Sequence, residues 1–382
     1  MLKLCITYSV LVFLALKAAH SALVETVTTS LIQGVLGNSN KSNIVFSPLL
    51  LQDGLKQLYI GAEGNTSAEL ENLLQYNGGY SLLSSYQGVQ LPENVELNIA
   101  SRLFVAKNVT VLKDYQENIK RLFNSTVEFV DFKDSAKAST IINSWVANQT
   151  RDKIPKLIEK TEASDVMMLL SAIYFKGLWA KPFDSKLTEK REFYSLDDEG
   201  KNKTIKVDTM YKRDLYRSHE IQELDARTIE IPYANTTVSM VILLPNQIDG
   251  IDLLVKNLES LHVDELLRKD VVPSKIALQL PKFKFDLSIE LKPMLQELGV
   301  KELFKAANLT KITAAPVSVG SVFQKAVIEV DEKGATAAAA QVITATAVSV
   351  DTAKDFHVNR PFVFVITDFD KVYFAGRVGN PT

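Results

Sequence analysis

The stretch from Val327 to Asp351, V-I-E-V-D-E-K-G-A-T-A-A-A-A-Q-V-I-T-A-T-A-V-S-V-D, restricts what this chain can fold into more than any other. It opens as a strand: Val327, Ile328 and Val330 interleave with Glu329 and Asp331, and β-branched residues suit a pleated surface. A charged turn with one glycine follows at Glu332-Lys333-Gly334. From Ala335 to Val350 there is no charge, proline or glycine, and Ala337 to Ala340 are consecutive alanines. An ordinary surface loop carries turn formers and charge. Alanine is the best helix former, so a helix is one reading of Ala335 to Gln341. Further on, Val342, Ile343, Thr344, Thr346, Val348 and Val350 favour extended backbone. The segment therefore suits a loop in one state and a strand in another. Its small side chains matter for the second, because a strand entering a packed sheet must not clash with side chains already there.

The rest of the chain must supply that sheet. Its 382 residues, 46% hydrophobic and 23% charged, are enough for a substantial core. No linker, repeat or low-complexity tract interrupts Asn43 to Pro381, so one large mixed domain fits better than several. Before it, Lys3, the apolar run Leu4 to Leu16 and the small residues around Ala19-His20-Ser21 read as a signal peptide over residues 1–21. The run is too short to span a bilayer comfortably, and no later stretch is long and apolar enough to do so. Cleavage after Ser21 removes the only cysteine, Cys5, leaving no disulfide. It also removes Lys3 and Lys17 and no acidic residue, so the mature chain is more acidic than the formal net charge of −2. Without a basic field, nucleic acid is not an expected partner. The expected location is extracellular. Sequons stand at Asn40, Asn65, Asn108, Asn124, Asn148, Asn202, Asn235 and Asn308, and in a secreted chain they are candidates for glycosylation.

Taken in order, Ala22 to Leu36 reads as a helix ending at Gly37. Asn43 to Pro48 is a short strand, whose proline starts a helix through Ile60. Thr66 and Glu69 form a capping box for the next helix. A strand begins near Asn98, and Ala138 to Ile158 is a helix. Met167 to Phe175 is nearly all apolar, as in a strand buried on both faces. Two β-rich runs flank Ala234-Asn235-Thr236, and Lys275 to Phe285 is another strand. Leu287 to Leu298 is a helix closed by Gly299. Pro361 to Ile366 and Val372 to Val378 form a hairpin. Helices and strands mix without regular βαβ alternation, which indicates an α+β fold.

Enzyme chemistry is not written in the sequence. There is no G-x-S-x-G, H-E-x-x-H, G-x-x-x-x-G-K-[ST] or G-x-G-x-x-G. His219, His262 and His357 are scattered, so neither a metal nor a cofactor is expected. Ser47 and Ser349 lie in no nucleophile motif. Glu329, Asp331 and Glu332 are most simply a solvated face or a salt-bridge anchor.

Ten short motifs in order resemble the serpin family from about Ala22 to Thr382. They are N-I-V-F-S-P (Asn43–Pro48), G-A-E-G-N-T-S-A-E-L (Gly61–Leu70), I-N-S-W-V with T-R-D-K-I (Thr150–Ile154), A-I-Y-F-K-G-L-W (Ala172–Trp179) and I-P-Y (Ile231–Tyr233). S-M-V-I-L-L-P (Ser239–Pro245), L-P-K-F-K (Leu280–Lys284), Q-K-A-V-I-E-V-D-E-K-G from Gln324, R-P-F-V-F-V-I (Arg360–Ile366) and F-A-G-R-V (Phe374–Val378) complete the set. The resemblance implies three β-sheets, about nine helices and an exposed reactive loop at about 332–355. It implies a secreted suicide-substrate inhibitor rather than an enzyme. A serine protease attacks the loop and forms an acyl-enzyme. The cut loop then enters the main sheet as a strand, a recognised instance of strand addition with release of stored strain. The partner is an extracellular serine protease in a covalent 1:1 complex, and the inhibitor is expected to be a monomer.

The resemblance also assigns residues. Glu332, Gly334, Ala335, Thr336, Ala337, Ala338, Ala339 and Ala340 form the hinge. Family spacing from Gly334 places the reactive bond at Val348–Ser349. After insertion Ala335, Ala337, Ala339, Gln341, Ile343 and Ala345 share one face, which by analogy with the family is the core side. From Ala335 to Ala353 there is no Lys, Arg, Phe, Tyr, Trp or Leu. A trypsin-like pocket lacks its cation and a chymotrypsin-like slot its large ring, which points to an elastase-like target. The chain departs from the family where Leu50, Ser171 and Gln324 replace Ser, Asn and His. With Ser47, these form a cluster beneath the main sheet where strands part, so a rewired network is expected there. Tyr76 to Pro92 holds no Lys or Arg, so no helix-based heparin site is expected. The competing class is a non-inhibitory serpin with a carrier, storage or chaperone role, which the clean hinge disfavours. The cysteine-free mature chain and L-P-N-Q-I-D-G-I (Leu244–Ile251) are similar to insect haemolymph serpins.

Overall fold

The computed structural model describes residues 27–37, 42–75, 95–196, 202–261, 265–333, 353–368 and 371–382. Seven α-helices lie among the described residues: α1 (27–37), α2 (Pro48–Gly61), α3 (Gly64–Leu74), α4 (Lys113–Phe123), α5 (Ser135–Gln149), α6 (Ile251–Asn257) and α7 (Lys292–Glu297). The first strands are β1 (Asn43–Phe46), β2 (Val95–Ala106), β3 (Val127–Val130), β4 (Met167–Gly177), β5 (Glu189–Leu196), β6 (Asn202–Tyr216), β7 (Ser218–Ile221) and β8 (Ala226–Pro232). The rest are β9 (Ser239–Pro245), β10 (Ser274–Pro281), β11 (Phe283–Glu290), β12 (Ser321–Val330), β13 (Lys354–His357), β14 (Phe362–Thr367) and β15 (Val372–Val378).

They form three sheets with orders β1-β15-β14-β9-β8-β7, β13-β10-β6-β5 and β11-β12-β4-β2-β3. The class is the expected α+β with three sheets, and seven of the about nine helices that the family implies lie among the described residues. Burial explains the apolar run of β4. Ile173 and Phe175 face one core cluster with Phe364 and Phe374, while Ala172 and Tyr174 face another with Ile142 and Val146. A strand covered on both faces has no polar alternation to show.

Several boundaries differ from the sequence reading. The expected helix Ala138–Ile158 is α5 alone. Asp134 caps it by accepting from Lys137 N at 3.1 Å, and Arg151 and Asp152 leave it with φ 51° and 60°. The segment beyond is strapped back onto α5 by Asn143, whose Oδ1 accepts from Leu157 N and Ile158 N at 2.8 and 3.1 Å. The run from Lys275 breaks at Lys282 into β10 and β11, and residues 287–290 extend β11 rather than start a helix. Phe285, Leu287 and Ile289 alternate with polar residues at period two, and that pattern outranks the helix-like spacing further on. The capping box is also absent. Helix α3 starts at Gly64 after Glu63, and Thr66 lies inside it, accepting from Asn308 N at 2.9 Å. Glu69 instead accepts from Lys301 N and Glu302 N at 2.7 and 2.8 Å, capping the short 3-10 turn at Glu302–Phe304.

Candidate functional site

The candidate site is the seam between β4 and β12, together with the chain leaving β12. In the five-stranded sheet β12 is antiparallel to β11 and β4 is antiparallel to β2, but β12 and β4 run parallel, from Ser321 opposite Met168 to Ile328 opposite Phe175. Parallel pairing is slightly less stable per residue than antiparallel pairing.

The inner face of the seam is closed by Gln324, fully buried and directly opposite Ser171. Its Nε2 donates to Ser47 O at 3.2 Å and to Ser171 Oγ at 3.3 Å, and its Oε1 accepts from Ser47 N. Ser171 Oγ passes its own hydrogen to Phe323 O at 3.4 Å. Ser47 is the N-cap of α2, with Oγ accepting from Leu50 N at 3.3 Å. Both amide hydrogens and the carbonyl of Gln324 are thus used, and one side chain ties β12, β4 and α2 together. The structure brings Ser47, Ser171 and Gln324 into one network. It places the Leu50 side chain in an apolar cluster with Ile173, Ala326 and Ile328. Ser101, opposite Ser171 on β2, has a buried Oγ without a partner.

The outer face of the seam carries charge. Lys176 Nζ lies 3.2 Å from Glu329 Oε1 and 3.6 Å from Asp331 Oδ2. Lys284 holds the other oxygen of Glu329 at 3.3 Å. Burial works against the ionised Glu329, but its lysine partners outweigh it and hold the carboxyl below its ordinary value. Nearby, Lys153 sits over the Tyr174 ring at 5.2 Å and pairs with Glu96 at 3.4 Å. Burial, aided by Glu96, Glu329 and Asp331, pushes the Tyr174 phenol up to about 12.

The chain beyond β12 is anchored up to its last described residues. Trp179 Nε1 donates to Asp331 O at 2.8 Å, and its indole stacks on Tyr233 with centroids 4.7 Å apart. Phe183 N donates to Glu332 O at 2.8 Å. The Glu332 carboxylate takes Thr188 Oγ1 at 2.8 Å and Lys282 Nζ at 2.9 Å. Burial disfavours its charge, and these donors overcome that, leaving its pKa lowered. A cleft of about 1060 Å3 opens here, lined by Lys176, Phe183, Lys282, Glu329 and Glu332 among others.

Of the expected hinge only Glu332 is described. Gly334, Ala335, Thr336, Ala337, Ala338, Ala339, Ala340 and the bond Val348–Ser349 lie outside the described residues, as does Tyr76–Pro92. Asn65, Asn108, Asn124, Asn148, Asn235 and Asn308 are exposed, while Asn40 and the Asn202 side chain lie outside the description. Sequence reasoning missed Lys176, Trp179 and the Asn143 strap. Lys176 had a legible signal, a single cation closing the apolar run of β4. Among the described residues there is no group of three metal-ligating side chains and no helix long and apolar enough to cross a membrane.

A sequence model of the family described as serpin (serine protease inhibitor) matches residues 22–381. Alaserpin of Manduca sexta is 32% identical over 365 residues, covering 93% of this chain and 92% of that protein. A leukocyte elastase inhibitor of Xenopus tropicalis is 32% identical over 362 residues, covering 92% and 96%. Among solved structures, Serpin48 of the insect Tenebrio molitor superposes with a TM-score of 0.82 at 28% identity, covering 95% of this chain and 98% of that one.

Proposed function

The chain belongs to the serpin family, the serine protease inhibitors, and from that premise we propose that it is a secreted suicide-substrate inhibitor of an elastase-like serine protease. The protease attacks Val348–Ser349, and the acyl-enzyme is trapped when the hinge from Glu332 to Ala340 enters the β4–β12 seam. The observation that carries this reading is the parallel pairing of β4 with β12, where β12 leads directly into the alanine-rich segment. A strand turning back from β12 into the seam runs antiparallel to both neighbours. One parallel ladder then becomes two antiparallel ones, and backbone pairing is gained. The small hinge residues let that strand pass, and insertion must outrun hydrolysis of the acyl-enzyme.

Residues 1–21 are a signal peptide, residues 22–382 the mature monomeric domain, and the exposed sequons carry the glycans. Supporting elastase-like specificity are the small residues Ala345, Ala347 and Val348 and the absence of a cation or large ring from Ala335 to Ala353.

Incubation with pancreatic elastase tests this. The expected result is an SDS-stable band at the summed mass and release of a C-terminal peptide starting at Ser349. Cleavage without a stable complex overturns inhibition in favour of a non-inhibitory serpin. A peptide starting elsewhere overturns the assigned bond.

A further inference from the structure

We propose that Lys176 is a positioning residue for strand insertion: its ion pairs with Glu329 and Asp331 lock the outer face of the β4–β12 seam and set how fast the seam opens. The proposal rests on the insertion reading above. It starts from which ion pairs cross the seam and which do not. Lys325–Asp286 at 2.7 Å, Lys284–Glu329 at 3.3 Å and Lys282–Glu332 at 2.9 Å join β12 or the chain just after it to β11 or the residue just before it. All three sit on one side of the seam and move together if it opens. Arg102–Glu128 at 3.0 Å joins β2 to β3 on the other side. Of the ion pairs between described residues in this sheet, only those of Lys176 span the seam.

Register explains the contact. The ladder ends with Ile328 opposite Phe175, so the next position sets Glu329 opposite Lys176. Admitting a strand moves β4 and β12 from one strand spacing to two, about 9.6 Å, so the 3.2 Å contact must break for the strand to pass. Lys176, Glu329 and Asp331 are one-fifth to one-quarter exposed, so ions reach the pair and screen it. The inner latch, by contrast, is buried and uncharged, with Gln324 and Ser171 as its seam-spanning side chains. The two latches therefore respond differently: the outer one loosens with salt, the inner one does not. At the head of the seam, Lys176 is also the latch the incoming strand meets first, since the chain leaves β12 at Val330.

The test uses an acetylated peptide with the sequence of Ala335 to Ala345 as the incoming strand, so no protease is needed. Its uptake by the whole chain is followed by native gel and by the rise in thermal midpoint. Lys176→Met is expected to take up the peptide about fivefold faster than the unsubstituted chain at low salt. Salt is expected to accelerate the unsubstituted chain but not Lys176→Met. Lys176→Arg keeps the slow, salt-sensitive rate. Lys325→Met removes a pair that does not cross the seam and leaves the uptake rate unchanged, which separates latching from general loss of stability. Glu329→Gln reports the same contact from the other strand. Equal rates and equal salt dependence for the unsubstituted chain and Lys176→Met overturn the latch while leaving insertion intact. Failure of the unsubstituted chain to take up the peptide at any salt overturns insertion itself, and the latch with it.

Discussion

Gln324 holds more of the seam than its size suggests, because one amide satisfies groups from three elements. Gln324→Ala leaves the Ser47 backbone groups without it and removes a donor from Ser171, and an orphaned buried polar group costs about 1–3 kcal/mol. Denaturant unfolding is expected to show a loss of about 2 kcal/mol; a loss within error means that water replaces the amide. Glu329 and Glu332 give the second prediction at this scale. Both have folded pKa values below the ordinary 4.5. Their contribution is therefore complete above that value and is lost as pH falls through the lower folded one. Stability near neutrality is expected to be flat with respect to these groups and to drop in acid. Glu332→Gln should shrink that acid-side drop, as measured by thermal midpoint against pH. Gln324 was legible in the sequence only as a departure from the family. Its partners were not, because they depend on a backbone N–H and C=O at the cap of α2.

At the scale of elements, the proposed insertion turns on the hinge. Ala339 falls on the face shared with Ala335 and Ala337. If the strand enters with that face on the core side, as the family resemblance implies, a charge there must be buried without a partner, which the interior resists strongly. Ala339→Arg is expected to be cleaved by elastase at an undiminished rate while losing the SDS-stable complex; an undiminished complex refutes the insertion register. The strap beyond α5 yields another expectation. Asn143→Ala frees Leu157 N and Ile158 N, so hydrogen exchange over residues 150–158 should rise while β4 stays protected. The elements were mostly readable. The apolar run of β4, the β8–β9 pair and the β14–β15 hairpin all appear where pattern and turn residues put them. The failures at the capping box and at 287–290 share one cause. Thr66, Glu69 and residues 287–290 look locally helical or capping, but distant partners claim them. Asn308 takes Thr66, the 3-10 turn at Glu302 takes Glu69, and β12 takes 287–290.

At the scale of the molecule, the proposed function requires the five-stranded sheet β11-β12-β4-β2-β3 to be held short of completion. The division of the core into two clusters was not legible in the sequence, while the three sheets were, through the family that ten short motifs resemble. What they could not disclose is how the seam is closed: a neutral amide below, a lysine above and a tryptophan anchoring the exit of β12. The most direct measurement is thermal unfolding of the chain before and after elastase cuts the reactive segment, with both fragments retained. Insertion completes the sheet, so the midpoint is predicted to rise by more than about 10 °C, several kcal/mol for a chain of this size. A midpoint that stays or falls after cleavage contradicts it.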